Sequence, residues 1–328
     1  MVRVGPIVQL GVILLSVLGL WIGARLLVDA VVRLARRFGL SDLTIGLTIV
    51  AMGTSTPELA VSVDAALKGA GDIAVANVLG SNIYNLAFIL GVISLLKVIP
   101  IAESLVHRDG IALLGSTLAG GIAVFDLRVT RLEGVLLTGV FVAYTGYLLR
   151  ASQSTSTGST TQASGDGGVD SSVTERIPFR GRDFGLLLGG LALVLVSGDY
   201  MVVAASGLAR GVGISEWVIG GTIVAAGTST PEFAVSLVAI QRGSRGVSVG
   251  NIVGSNIYNL TGILGVAAVI RPLVARGLAL ETLAWVAGVS LLMVAALWTK
   301  RELSRTEGAL FTASEIVRWI LGILGLVG

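Results

Sequence analysis

The chain has 328 residues, 54% of them hydrophobic and 13% charged, with a mean hydropathy of +0.90. A soluble domain carries about twice that share of charge, so a water-exposed globule is excluded in favour of an integral membrane protein. The absence of cysteine and a single histidine, His107, exclude disulfides, thiolate metal centres and histidine-based nucleophilic chemistry; the net charge of +3, scattered between apolar segments, reads as topology rather than nucleic-acid binding.

A helix needs about 20 residues to cross the hydrocarbon core. The apolar pattern predicts an all-α chain of ten spans, at 7–35, 42–67, 73–97, 109–127, 130–150, 183–209, 215–240, 246–270, 277–299 and 308–327. The first run is longer than a signal-peptide core and carries Arg25 and Asp29, so it is read as a span rather than a cleaved leader. His107 falls in the loop before the fourth span. The stretch 151–176 is rich in Ser, Thr and Gly and has almost nothing to bury, which predicts a flexible linker. The expected organisation is a first five-helix unit (1–150), a linker (151–182) and a second five-helix unit (183–328).

The two units repeat each other. "LSDLTIGLTIVAMGTSTPELAVS" (40–62) aligns without gaps to "ISEWVIGGTIVAAGTSTPEFAVS" (214–236), an offset of 174, and "NVLGSNIYNL" (77–86) aligns at the same offset to "NIVGSNIYNL" (251–260). This is an internal duplication. A second copy of a five-span unit enters the membrane upside down, so the halves are expected to form inverted repeats with a site where they meet at the midplane. The N-terminus and the loops after spans 2, 4, 6 and 8 hold 7 Lys and Arg, and the opposite loops hold 14. The positive-inside rule then makes the linker side cytoplasmic and places both termini outside, extracellular or periplasmic.

Each repeated block contains a helix breaker. Pro57 lacks the N–H that the Gly53 carbonyl needs, and its ring pushes Thr56 away from helical angles. The second span should break or kink across Thr54–Pro57, and the seventh across Thr228–Pro231 for the same reason. Freed carbonyls inside a membrane must line a cavity or find neighbours. The breaks bring hydroxyls and one carboxylate each, Glu58 and Glu232. Asn77, Ser81 and Asn85, spaced by four, share one helical face, as do Asn251, Ser255 and Asn259. Carboxylates, hydroxyls, amides and carbonyls without sulfur are an inventory for a hard cation. Ca2+ takes about 6–8 oxygens, and two bidentate glutamates with the Thr54 and Thr228 carbonyls supply about six. Unpaired glutamates in a bilayer are costly, so the pair should hold a cation or a proton. Na+ could replace Ca2+ using the same carboxylates with Ser55, Ser81, Ser229 and Ser255. Asn77 and Asn251 fit interhelical hydrogen bonding as well as ligation. The remaining intramembrane charges lack equivalents in the other half and are read as structural, Glu315 and Arg318 as a pair three residues apart.

With "GTSTPE…GSNIYN" present twice, the sequence resembles the cation/Ca2+ exchanger superfamily, specifically its Na+/Ca2+ exchanger branch of the prokaryotic type. The blocks look like that family's alpha repeats, and the resemblance covers the chain apart from the linker. It implies central Ca2+ ligands at Glu58 and Glu232, main-chain oxygens from Thr54 and Thr228, and Na+ sites lined by Ser55, Ser81, Ser229, Ser255 and the backbone oxygens of Ala51 and Ala225. Asn85 and Asn259 would complete the middle; some members carry an aspartate at the latter position. The large cytosolic Ca2+-sensing domains of some relatives have no counterpart here.

The expected function is antiport of Ca2+ against Na+ by alternating access, with no cofactor, no nucleic acid and no obligatory protein partner. The alternatives are Ca2+/H+ exchange on the same fold, K+ involvement, or, in a different class, a cation channel. An enzyme is disfavoured, because Cys and HExxH are absent and the single histidine, His107, leaves almost no room for Ser-His chemistry.

Overall fold

The computed structural model describes residues 5–100, 103, 105–157, 181–211, 225–276, 278–300 and 302–323. Helix α1 (Pro6–Phe38) opens on proline and ends at Gly39 with φ 65°, the asymmetry expected from a missing N–H at one end and a missing Cβ at the other. Helix α2 (Asp42–Thr54) is capped by Ser41, whose hydroxyl accepts from the Thr44 amide at 3.0 Å, and includes a π turn at Gly46–Val50. Next come α3 (Thr56–Lys68), α4 (Gly71–Leu96) and α5 (Gly110–Val124), the last preceded by a π turn at Leu105–Asp109. The first half ends with α6 (Arg131–Thr157).

The second half has α7 (Gly181–Gly211), α8 (Ala225–Thr228), α9 (Thr230–Gln241), α10 (Arg245–Ile270), α11 (Leu278–Lys300) and α12 (Arg305–Ile323). Helices α1, α4, α6, α7, α10 and α11 are long and apolar enough to cross a membrane. The linker expected at 151–182 is trimmed at both ends, since α6 runs on to Thr157 and α7 starts at Gly181. Ser and Thr are weak helix formers, but adding residues to a helix already nucleated is easy. The rest of that linker (158–180), the start of the predicted seventh span (215–224) and both extreme termini lie outside the described residues. His107, expected in a loop, belongs to the π turn before α5, where it meets Trp298 edge-on at 5.1 Å.

Local structure repeats at the offset of 174 well beyond the two matching blocks. π turns occupy Tyr84–Ile89 and Tyr258–Ile263. Gly69 and Gly243, with φ 75° and 81°, follow α3 and α9. Thr130–Glu133 and Ser304–Glu307 each form a reciprocal capping box before α6 and α12. Contacts between the halves are also exchanged. Strand β1 (Ile99–Pro100) pairs antiparallel with β4 (Glu302–Leu303), while β2 (Arg128–Val129) pairs with β3 (Leu273–Val274); moving either pair by the offset generates the other.

Helices α4 and α10 form the centre, with 78% and 89% of their apolar windows buried, against 22% and 28% for α1 and α7. A glycine stripe lets α10 meet α2 backbone to backbone: a Cβ at Gly250 would lie 2.7 Å from the Leu43 carbonyl oxygen, and one at Gly254 2.6 Å from that of Leu47. Such close approach is the ordinary use of small residues between membrane helices. Helix α1 packs along α7, with Gly23 against Gly190.

Candidate functional site

The two breaks are tighter than the sequence predicts. One residue leaves the helical path at each: Ser55 (φ −80°, ψ 16°) and Ser229 (φ −90°, ψ 8°). Thr56, expected outside helical angles, is instead the first residue of α3. Ser55 absorbs the distortion, and Pro57 becomes the second residue of a new helix, where a missing N–H has no partner to lose. The Gly53 carbonyl that Pro57 cannot serve accepts from the Thr56 hydroxyl at 2.7 Å. The break also places Glu58 and Glu232 in the first turn of a helix, where partial positive charge favours a carboxylate.

The carboxylates are bound crosswise. The Ser55 hydroxyl donates to Glu232 Oε1 at 2.7 Å, and the Ser229 hydroxyl donates to Glu58 Oε1 at 2.9 Å. The half that supplies one acid thus supplies the donor for the other. Ser81 lies beside the Glu58 carboxylate, and Ser255 and Thr54 beside that of Glu232. The Ser255 hydroxyl also reaches the Ala51 carbonyl at 3.5 Å. Ala225 and Thr228 make up the ends of α8, directly before Ser229. Asn85 and Asn259 follow Ser81 and Ser255 along the central helices, inside the π turns, and each π turn packs against the regular part of the other central helix. π turns in long helices recur at functional sites.

All of Glu58, Glu232, Ser55, Ser229, Asn85 and Asn259 are fully buried. Even so, Oε2 of both glutamates and both amide atoms of both asparagines have no hydrogen-bond partner. Among the described residues no basic side chain pairs with either glutamate. Buried polar atoms are normally satisfied, and a buried charge is normally paired. Two acidic groups and the unpartnered side-chain oxygens of two asparagines have the chemistry that suits a hard cation held by oxygen.

Asn77 and Asn251 resolve as supports. The Asn77 amide donates to the Glu58 carbonyl at 3.0 Å and to the Ser62 hydroxyl at 2.9 Å; Asn251 does the same for Glu232 and Ser236 at 3.3 and 2.9 Å. The Thr54 hydroxyl donates to the Asn251 side-chain oxygen at 3.0 Å, tying the first break to the second half. Sequence reasoning passed over Asn82 and Asn256. Both are buried, with amides on the Val78 and Ile252 carbonyls and side-chain oxygens left without a partner. Their presence in the identical "GSNIYN" words was the available signal. A cavity of about 610 Å³ adjoins α8 and α9, but its walls, including Trp21, Met201, Phe233 and Trp319, are mostly apolar and carry no carboxylate.

The family model described as sodium/calcium exchanger protein matches residues 8–150 and 183–314. A chain from Alkalimonas amylolytica that carries the antiporter name CaxA is 37% identical over 84% of this chain and 86% of its own. The sodium/calcium exchanger MaX1 of Methanosarcina acetivorans is 30% identical over 90% and 93%. The structure of the sodium-calcium exchanger NCX_Mj soaked with Na+ and Sr2+ superimposes with a TM-score of 0.80 at 30% identity, covering 97% of this chain and 98% of that one. These relatives are membrane ion exchangers rather than enzymes. Two acid-bearing helix breaks, repeated at one offset and facing each other in a helical membrane fold, thus belong to a known lineage: this chain is a multi-pass membrane protein of the Na+/Ca2+ exchanger family.

Proposed function

We propose that the protein is a secondary antiporter exchanging Ca2+ for Na+ across the cell membrane by alternating access of one site. The observation that carries this reading is the set of unpartnered, fully buried oxygens on Glu58, Glu232, Asn85 and Asn259. Ca2+ binds between the two carboxylates with main-chain oxygens of Thr54 and Thr228. Na+ ions occupy flanking positions with Ser55, Ser81, Ser229, Ser255 and the carbonyls of Ala51 and Ala225. An empty, doubly charged site is unfavourable in hydrocarbon, so one cargo leaves as another arrives, which is the basis of coupling.

The reading includes ten membrane spans in two inverted five-helix repeats, spans 2 and 7 being α2–α3 and α8–α9. The exchanged strand pairs support it, because each joins loops that the charge rule puts on one face. Loops after spans 3 and 9 meet through β1 and β4, and loops after spans 4 and 8 through β2 and β3. By the same rule both termini face outward and the linker is cytoplasmic. Helices α1 and α7 lie outside the central pair α4 and α10 and pack on each other in a hydrophobic cluster of their own, so they move as one body past α9. Cysteines replacing Asp29 and Arg242, which join α1 to the end of α9 at 2.6 Å, should stop exchange when crosslinked and restore it on reduction.

The test is uptake of labelled Ca2+ into vesicles with Na+, K+ and pH gradients imposed separately. Uptake driven by outward Na+ at fixed pH is expected. Uptake that follows the pH gradient and ignores Na+ would replace this reading with Ca2+/H+ exchange; large unitary currents would replace it with a channel.

A further inference from the structure

The word "GSNIYNL" occurs at 80–86 and at 254–260 without a single change, yet the two copies are housed differently. In the first, the Tyr84 ring stacks on Phe88 (centroids 4.9 Å, 17°) and on Trp319 of α12 (5.7 Å, 6°), and Trp319 stacks on Phe88 (5.9 Å, 20°). Tyr84 and Phe88 bracket Asn85 in its π turn. Trp319 is itself anchored. It follows the buried Glu315 by one turn of α12, and its neighbour Arg318 grips that carboxylate through two contacts of 2.6 and 2.7 Å.

In the second copy every one of these partners is absent. Gly262 stands at the place equivalent to Phe88, and a Cβ there would collide with the Tyr258 ring. Thr145 stands opposite Trp319 and Phe141 opposite Glu315. Tyr258 packs instead on Phe141, tilted by 41° at 4.8 Å. The family match ends at residue 314, so Glu315, Arg318 and Trp319 fall outside it.

A π turn has poorer hydrogen-bond geometry than the helix around it and persists through tertiary support. Around Asn85 that support is a three-ring sandwich; around Asn259 it is one tilted pair and a glycine. We propose that Trp319 is a positioning residue for Asn85, clamping its π turn so that the two amides act unequally: Asn85 as a fixed ligand, Asn259 as the one that adjusts between cations. This rests on the cation-site reading above.

The test is Ca2+ binding to the purified full-length protein by calorimetry, which needs no Na+ coupling. Trp319→Leu should weaken binding about three- to tenfold, the range set by one or two aromatic stacks, and Trp319→Phe should recover most of it. The same Leu substitution should add less than about twofold in an Asn85→Ala background, where there is no amide left to position, and keep its effect in an Asn259→Ala background. An equal loss in all three backgrounds would make Trp319 merely structural and overturn the proposal, as would unchanged binding. If Trp319→Leu does not fold, Phe88→Leu removes the other face of the sandwich and is read in the same way. Wild-type protein that binds no Ca2+ would sink the site reading and this proposal together; wild-type binding with indifferent variants would sink this proposal alone.

Discussion

Among the described residues, Asp109, Glu315, Glu58 and Glu232 are carboxylates with no exposed surface, and they divide into two kinds. Asp109 lies 2.7 Å from Arg108 and accepts from the Tyr144 hydroxyl at 2.9 Å, and Glu315 is gripped by Arg318. Glu58 and Glu232 receive a serine hydroxyl each and no cation. The first kind is neutralised from within the fold and has no need of anything mobile. The second has no basic partner among the described residues, and in the proposed reading it is an arriving cation that neutralises it. Burial alone therefore does not single out Glu58 and Glu232; burial without a basic partner does.

The contrast can be broken most directly at the unpaired acids. If the proposed site is right, Glu58→Gln and Glu232→Gln should each reduce Ca2+ transport on the order of a thousandfold, since removing one partner of a buried charge pair costs about 3–5 kcal/mol. Asp64→Asn, on an exposed helix face beside Lys68, should keep most of it. Vesicle flux normalised to folded protein makes the measurement; a Gln variant with near-normal flux would remove the carboxylates from the site. At the paired acids the damage should take another form. Arg108→Leu strands Asp109 and should destabilise the protein by about 3 kcal/mol, lowering its thermal midpoint in detergent while flux per folded molecule changes little.

The parts of this design that lie within one helical turn were readable. The breaks at "GTSTPE", the acids after them and the oxygen face of α4 and α10 follow from proline chemistry and spacing. The break falls inside the expected Thr54–Pro57, but Ser55 rather than Thr56 takes the distortion that the proline rule assigns to the residue before proline. The capping boxes before α6 and α12 were also readable, as Thr130…Glu133 and Ser304…Glu307, and would have extended the repeat past its matching words. The π turns were not, since identical residues can close an i to i−4 or an i to i−5 ring. Nor were the support of Tyr84 by Trp319 or the Asp29–Arg242 pair, whose members are hundreds of residues apart. Helix spacing ranks the neighbours on one helix and says nothing about which other helix covers them.

A finer comparison sets the two unpaired acids against each other. Ser55→Ala and Ser229→Ala each remove one hydrogen bond to a charged oxygen, worth about 1.5–3 kcal/mol. Each should raise the Ca2+ concentration for half-maximal exchange about tenfold, with the two values within a factor of about three. A much larger effect at one serine would show that the crossed pairs, alike in length, are unlike in function.

The smallest effect is expected where charges are paired but wet. Asp29 on α1 and Arg242 after α9 meet at 2.6 Å, with 36% of each side chain exposed. Water already screens such a pair, and holding two long side chains in one geometry costs entropy, so the coupling should be about 0.2–1 kcal/mol. A double-mutant cycle with Asp29→Asn and Arg242→Gln, followed by thermal unfolding, measures it. Raising the ionic strength to about 1 M shortens the screening length to about 3 Å and should shrink the coupling further. A salt-independent coupling above about 2 kcal/mol would mean that lipid, not water, surrounds the pair. Asp29 would then belong with Asp109 and Glu315 among the acids neutralised inside the fold, and exposure would no longer separate latches from anchors. Glu58 and Glu232 would still stand apart, because their distinction rests on the missing partner and not on the depth of burial.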